Sequence, residues 1–464
     1  MAFQILSNAH LARATRPITD AWRSFSQKRR ALRSKWRLWD AKKRRLKSKA
    51  TFIAVTGSSG KSTTVKLLAH ILSGDDQTTY QLLANGLREA VTTTKQLQPS
   101  DKYAVFECGT ARPGDIRPIA ELLKPSVSIV TLVAIEHYSA FRTQAAIAQE
   151  KSELVQGLSA GELAVLNFDD PHVRAMAEKT KGRVVGFGKE NGDYRVSNLR
   201  LSPEGQLSLT IRPPASPPLQ IKTALLGTYH WVPVAAAVTC ALELGISADL
   251  IVARIASFEA IHGRMSVHQI PNGPRFILDT AKAPWFSLML PLEVMREIRA
   301  PRKRIIFGHI SDYAGNPRSK HRDACHAALE FADEVMLVGP NSHRFSAKDE
   351  VSSPGRFRAF PTVKECAEYV RRSAIEGEVI LLKSSLNIHL DRIWLNFVED
   401  VHCWPTVCGL KDRICFECLP RVPFHEHGAR DKYPRRPPYQ RRLTKAPRQG
   451  ELVLLGQPRD DIPS

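Results

Sequence analysis

Residues 51–68 read TFIAVTGSSGKSTTVKLL, and their types suit the holding of phosphate. Gly57 and Gly60 let the chain turn tightly and approach an anion with no side chain between. Lys61 can reach the outer phosphates of a nucleotide, and the Ser62 hydroxyl can sit on Mg²⁺. Ser58, Ser59 and Thr63 complete the loop. The commonest phosphate-loop pattern, G-x-x-x-x-G-K-[ST], is not met, because Val55 stands where its first glycine belongs. The loop starts at Gly57, two residues late.

A second cluster lies near the other end. Cys403, Cys408, Cys415 and Cys418 fall within HCWPTVCGLKDRICFECL, residues 402–419. Thiols this dense suggest a small structural Zn²⁺ site, with His402 as an alternative ligand. Only Cys415 and Cys418 have C-x-x-C spacing, so free cysteines in a terminal lobe are the competing reading. Eight cysteines in 464 residues do not make a secreted disulfide framework.

These groups need elements to position them. Phe52–Val55 is an apolar run of buried-strand type, and Val65, Leu68, Ala69 and Leu72 have helical spacing. Strand, glycine turn and helix start together aim free backbone N–H groups at phosphate. Further strands are expected at 103–108, 127–133, 162–168 and 183–188, and helices at 143–157 and 231–245. That alternation implies a mostly parallel sheet covered on both faces. Residues 194–223 break the alternation, and YRVSNLRLS, QLSLTIR and LQIKTALL read as a small antiparallel patch. After residue 263 the runs RFILDT, RIIFGH, EVMLVG and EVILLK predict a second, smaller Rossmann-like α/β domain. The expected divisions are an arm 1–50, a P-loop-type central domain 51–262, a second domain 263–400, a Cys-rich segment 401–420 and a tail 421–464.

The net charge of +21 sits mostly at the ends, +13 in residues 1–50 and +5 in 419–464. The first arm interleaves Trp22, Phe25, Leu32, Trp36 and Trp39 with cations. It reads equally as a helix on an anionic membrane or nucleic acid and as a leader helix packed on the body. A partner protein is another fit for it. The proline-rich tail is expected to be disordered. No apolar run approaches the roughly 20 residues of a membrane span, and no signal peptide is read, so a cytoplasmic chain is expected, peripheral to the inner membrane if the arm binds lipid. No nucleic-acid recognition module is found, so nucleic acid is not expected as a partner.

Thr56-Gly57-x-x-Gly60-Lys61-Ser62 resembles the shortened phosphate loop of the Mur ligase family. The likeness extends through ECGTARPGDIRPIAELLKPSVSIVTLVAIEHYSAF (107–141), EKSELVQGL (150–158), NFDDPHV (167–173) and GRM (263–265), in the family's order. Within the family it leans toward the branch that adds D-alanyl-D-alanine. The resemblance implies an ATP-dependent enzyme that joins a small-molecule acid to an amine through an acyl phosphate. Anionic reactants meet at the γ-phosphate, so charge neutralisation dominates such catalysis. It also implies one Mg²⁺ on Ser62 and Glu107. A second would be held by Glu107, His137 and a carbamylated Lys151, whose CO₂ adduct presents carboxylate-like oxygens to a hard cation. Asn167, Arg264 and Asp279 are the implied further nucleotide contacts, with Lys282 as a shifted phosphate-contacting lysine.

The chain departs from the pattern in four places. ILDTAKAPW (277–285) lacks the wall ligases' Asp-Asp-x-Tyr-Asn-Ala-Asn-Pro. In GTYHWVPV (227–234) His230 is kept, but Trp231 and Val234 replace two asparagines that touch adenine. KSSL (383–386) stands for Lys-Gly-Ser-Arg. The phosphate loop begins after 50 residues of basic arm, where the wall ligases carry a UDP-sugar-gripping domain. These changes leave ATP binding in place and imply altered acid and amine pockets. A regulatory, non-catalytic ATP-binding protein is the alternative expectation.

Overall fold

The structure, a computed structural model, describes residues 29, 32–73, 77–136, 140–339, 342, 355–405, 408, 415 and 442–443. Trp22, Phe25, His137, Cys418 and the tail other than 442–443 lie outside these residues.

Two sheets dominate. The first contains β1 (Thr51–Thr56), β2 (Gln77–Gln81), β3 (Asp101–Glu107), β4 (Val127–Val130), β5 (Leu163–Asn167), β6 (Arg183–Gly188), β7 (Tyr194–Leu201), β8 (Gln206–Arg212) and β9 (Leu219–Leu226). Among the described residues its order is β2-β3-β1-β4-β5-β6-β7-β8-β9, with Arg442–Leu443 paired antiparallel to β2 at the edge. From β2 to β6 every pairing is parallel. Strands buried on both faces read as continuous apolar runs, which is why β1 and β4 were legible.

The antiparallel patch is not a separate sheet. β6 and β7 pair in parallel over two positions, Phe187 with Tyr194 and Gly188 with Arg195, and β7, β8 and β9 then continue antiparallel. One face packs on the helices Lys61–Leu72 and Trp231–Glu243, through Val65, Leu68, Val234 and Val238 among others. The opposite face packs Phe52, Ala54, Ala104 and Phe106 against the helix Ile116–Leu123 and Ala41.

Ala41 belongs to a helix over residues 32–47, so this part of the basic arm is docked on the body. Arg45 donates to the carbonyls of Leu123 and Lys124, its guanidinium lies 3.9 Å above the Phe52 ring, and Asp40 pairs with Lys95 at 2.7 Å.

The second sheet contains β10 (Ser266–Gln269), β11 (Arg275–Asp279), β12 (Lys303–Phe307), β13 (Glu334–Val338), β14 (Phe357–Phe360) and β15 (Val379–Lys383). Its order is β10-β11-β15-β12-β13-β14, parallel except for β10. β11 and β12 both flank β15, so the C-terminal ends of β11 and β15 emerge side by side, with Asp279 beside Lys383. The two domains meet where Leu226 joins the apolar cluster of Met265, Leu292 and Val294. Gly227 marks that contact: its φ is +92°, and a Cβ there would lie 2.5 Å from Val294.

Candidate active site

The phosphate loop is held by its own backbone and by the chain leaving β4. Ser58 N–H donates to the Leu132 carbonyl at 2.8 Å, and its hydroxyl donates to the Ala134 carbonyl at 2.9 Å. Thr131 Oγ1 donates to the Ser59 carbonyl at 2.6 Å. Gly57, at φ +145°, allows this approach, because a Cβ there would stand 1.9 Å from Thr131 Oγ1. Gly60, at φ +82°, begins the helix Lys61–Leu72 in a left-handed turn that side chains disfavour. The strand expected over 127–133 therefore ends at Val130, because Thr131 onward serves the loop rather than the sheet.

Glu107, the last residue of β3, is 3% exposed and fully engaged. Ser62 Oγ and Leu83 N–H each donate to its Oε2 at 2.7 Å, and Asn85 Nδ2 donates to Oε1 at 2.8 Å. Burial opposes its ionisation, but the Lys61 charge and these three bonds outweigh burial and hold its pKa below the ordinary carboxylate value. A buried, ionised carboxylate bonded to a serine hydroxyl beside a phosphate loop is a donor set that suits Mg²⁺. Lys61 Nζ meanwhile donates to the Gly57 carbonyl at 2.6 Å.

Lys151, in the helix Gln144–Gln156, is 0% exposed and donates to Glu136 Oε1 at 2.6 Å. Burial lowers its pKa to about 8; Glu136 works against that shift, and Lys61 adds to it. His137, the next residue after Glu136, lies outside the described residues.

One cavity of about 430 Å³ joins this loop to the second domain. Ser58–Thr63, Glu107 and Glu136 line one side; Arg264, Asp279, Lys282, His309 and Lys383 line the other. Lys383 Nζ bonds Asp279 Oδ2 at 2.5 Å and the Lys282 carbonyl at 2.9 Å, fixing the tip of β11. Lys282 opens onto the cleft. Crowding by surrounding protein lowers its pKa, Lys61 and Arg264 lower it further, and Glu107 and Glu136 oppose. Arg264 Nε is buried without a hydrogen-bonding partner among the described residues. His230 also lines the cavity; burial takes its pKa to about 4 against the pull of the Leu226 carbonyl, which its Nδ1 meets at 2.6 Å.

The structure thus brings Ser58, Ser59, Gly60, Lys61, Ser62, Thr63, Glu107, Arg264, Asp279 and Lys282 to one cavity. Gly57 shapes the loop from below. Asn167 is not on the cavity lining: its Nδ2 donates to the Thr131 carbonyl at 2.8 Å, so it braces the exit of β4. Trp231 and Val234, in place of the asparagines, are packing residues; Trp231 meets Phe187 edge-on at 6.3 Å and Val234 is 0% exposed. Sequence reasoning missed Asn85, Glu136 and His309, and it quoted Lys383 within KSSL without giving it a role. Glu136 sits in the quoted run VAIEHY, and a carboxylate directly before the histidine was the available signal.

The sequence profile of the Mur ligase middle domain matches residues 55–242, and that of the Mur ligase glutamate ligase domain matches 263–386. The chain belongs to the Mur ligase family. Among its relatives, the UDP-N-acetylmuramoyl-tripeptide–D-alanyl-D-alanine ligase of Mycobacterium tuberculosis (strain CDC 1551 / Oshkosh) is 29% identical over 378 residues, 76% of this chain and 74% of that one. The Escherichia coli K12 ligase of the same name is 26% identical over 308 residues, 65% of this chain and 67% of its own. A crystal structure of MurF from Acinetobacter baumannii shares the fold, with a TM-score of 0.72 at 23% identity over 78% of this chain and 79% of that one. MurF from Thermotoga maritima, solved in complex with ADP, gives 0.66 at 21% identity over 77% and 81%. Mur ligases of this kind are ATP-dependent enzymes that form peptide bonds between small molecules, and this chain's α/β sheets are theirs.

The expected cysteine site is not assembled as expected. Cys418 lies outside the described residues, and Cys403, Cys408 and Cys415 do not form a metal-ligand group with one another among them. Cys415 lies instead beside His389 and Asp391. No described helix is long and apolar enough to cross a membrane.

Proposed function

We propose that this cleft activates a carboxylate with ATP and joins it to the amine of an amino acid or peptide, in the synthesis of a cell-wall-like polymer. The observation that carries this reading is the cleft's double lining: a phosphate loop wired to an ionised Glu107 faces Arg264, Asp279 and Lys282 of the second domain across one cavity. A carboxylate oxygen attacks the γ-phosphorus, and ADP leaves. The amine nitrogen then attacks the acyl carbon, phosphate leaves, and the amine's proton passes to a base. Lys61, Arg264 and Lys282 converge on the cavity and offset the negative charge gathered at the transferred phosphoryl group. Ser62 and Glu107 would hold Mg²⁺, which when bound draws charge from the phosphate oxygens. Contributions from both domains mean that Arg264 and Asp279 act fully only with the cleft closed on nucleotide.

The reading is tested by ADP release from the purified chain, with UDP-N-acetylmuramoyl-tripeptide and D-alanyl-D-alanine as the first pair and other peptides and amino acids after it. Release that requires both acid and amine, and is lost in Lys61→Ala, supports it. ATP binding with no pair-dependent release favours the regulatory reading.

Two readings of Lys151 differ in what supplies the second anionic group beside Glu107. One is a carbamate on Lys151, with His137 as a co-ligand. The contact of Lys151 with Glu136 at 2.6 Å favours the other, in which Lys151 stays an ammonium and Glu136 supplies the carboxylate. Carbon-13 NMR in labelled bicarbonate separates them: a carbamate signal lost in Lys151→Ala supports the first, and its absence in wild type supports the second.

For location, we propose a cytoplasmic protein peripheral to an anionic membrane. The helix over 32–47 turns Leu32, Trp36, Trp39 and Leu46 outward, 67%, 59%, 53% and 73% exposed, along the face opposite Ala41. Flanking lysines and arginines suit an anionic surface, each adding about 1 kcal/mol there. Trp36→Ser with Trp39→Ser should reduce sedimentation with phosphatidylglycerol vesicles; equal sedimentation would reject the membrane.

A further inference from the structure

His389 follows the short 3₁₀ helix Leu386–Ile388 and precedes the helix Asp391–Val398. Its backbone is left-handed, at φ +55°, a conformation that side chains rarely adopt unless the surroundings hold it. Its side chain is 2% exposed, and neither Nδ1 nor Nε2 has a hydrogen-bonding partner among the described residues. A buried imidazole with both nitrogens unspent is costly.

Two ligand types stand beside it. Asp391 is 0% exposed, and its Oδ2 accepts the Cys415 N–H at 2.9 Å. That bond brings a thiol from far along the chain up to the start of the helix. One ligand atom each from His389, Asp391 and Cys415 lies within 4.8 Å of the others. Ligands around one tetrahedral Zn²⁺ stand about 3.3–3.8 Å apart, given bonds of about 2.0–2.3 Å. Small rotations close that difference. The second domain's own fold packs around the trio: Arg392 donates to the Cys403 and Pro405 carbonyls at 2.9 and 3.4 Å, so the chain after residue 400 is tied to the same helix.

We propose that His389, Asp391 and Cys415 bind a zinc-class divalent ion that fastens the C-terminal segment to the second domain, away from the nucleotide cleft. Imidazole, carboxylate and thiolate form a mixed nitrogen, oxygen and sulfur set that suits Zn²⁺ over Mg²⁺ or Ca²⁺. None of the three ligands lines the cavity that holds Glu107 and Lys61.

Metal content of the full chain, purified without added metal and assayed by plasma mass spectrometry, tests this. Wild type should carry close to one zinc per chain, and His389→Gln and Cys415→Ser should lose most of it. Glu107→Gln should keep it. Because His389→Gln lies in a buried position and can fail to fold, the second readout is cobalt. Co²⁺-loaded wild type should show a thiolate-to-cobalt charge-transfer band that Cys415→Ser, at a half-buried residue, lacks. No stoichiometric zinc in wild type, zinc unchanged in Cys415→Ser, or zinc lost with Glu107→Gln would each overturn the proposal.

Discussion

Arg304 and Lys151 are both fully buried cations set against carboxylates, yet they are built for different ends. Arg304 sits among many partners. Glu378 lies 3.0 Å from its Nε, and Ser373 accepts from both its terminal nitrogens. Arg302 and Arg358 brace the surrounding carboxylates at 2.6 Å each. Lys151 donates, among the described residues, to Glu136 alone, and its pKa falls to about 8. A network of many partners fixes one arrangement; a buried ammonium with a single described partner, behind Glu136 of the cavity lining, is the arrangement expected of a functional group. The difference predicts a structural role for Arg304 and a functional one for Lys151, which burial alone does not distinguish.

That contrast can be broken by exchanging losses. Arg304→Ala removes one of the two cations on the buried Glu378, leaving Arg302, and frees the Ser373 acceptors, and we expect a cost of about 3–5 kcal/mol in denaturant unfolding with ATP affinity unchanged in the folded fraction. Lys151→Ala should do the reverse: ligation falls by roughly 100-fold or more, about 2.7 kcal/mol, with a smaller loss of stability, because Glu136, though buried, lines the cavity where water can enter. A large stability loss at Lys151 with normal turnover would erase the distinction.

Asp279→Ala probes the same contrast in the second domain, since Lys383 then keeps only the Lys282 carbonyl. It should lower kcat about tenfold with less effect on ATP binding, as expected of a group that matters after closure. An equal loss in both would make it an ordinary binding contact.

The smallest effect expected is a change of pH slope. His230 has a folded pKa near 4 against an ordinary 6.5. Between those values the unfolded chain binds a proton that the folded chain does not. Its contribution is therefore complete above pH 6.5 and lost as pH falls toward 4. His230→Gln should flatten the fall by up to about 1.4 kcal/mol per pH unit. An unchanged slope would show that His230 binds its proton equally in the folded and unfolded chain.

What could be read from sequence follows from how local each feature is. The loop from Gly57 to Thr63 and the helix after it form one continuous segment, so residue types and spacing sufficed. The second sheet's core strands were legible as apolar runs, whereas β2, QTTYQ, is polar in sequence though mostly buried, and β14 carries exposed Arg358 and Ala359. Lys383 and Asp279 meet only because β15 is inserted between β11 and β12, an order that no local pattern encodes. Asn167 was chosen for its motif, but its amide is used to hold Thr131 in place. The cysteines were visible; their partner was not, because His389 and Asp391 lie in NIHLDRIW, before the Cys-rich segment, and only folding brings them to Cys415.

The most direct test of the central claim follows oxygen. The acid substrate is labelled with ¹⁸O in its carboxylate, and the chain is given Mg²⁺-ATP and the amine. If the cleft forms an acyl phosphate, each phosphate released with ADP carries one ¹⁸O from the acid, and Glu107→Gln releases none. Phosphate that carries oxygen from solvent water and none from the acid would show plain ATP hydrolysis and contradict the ligase account.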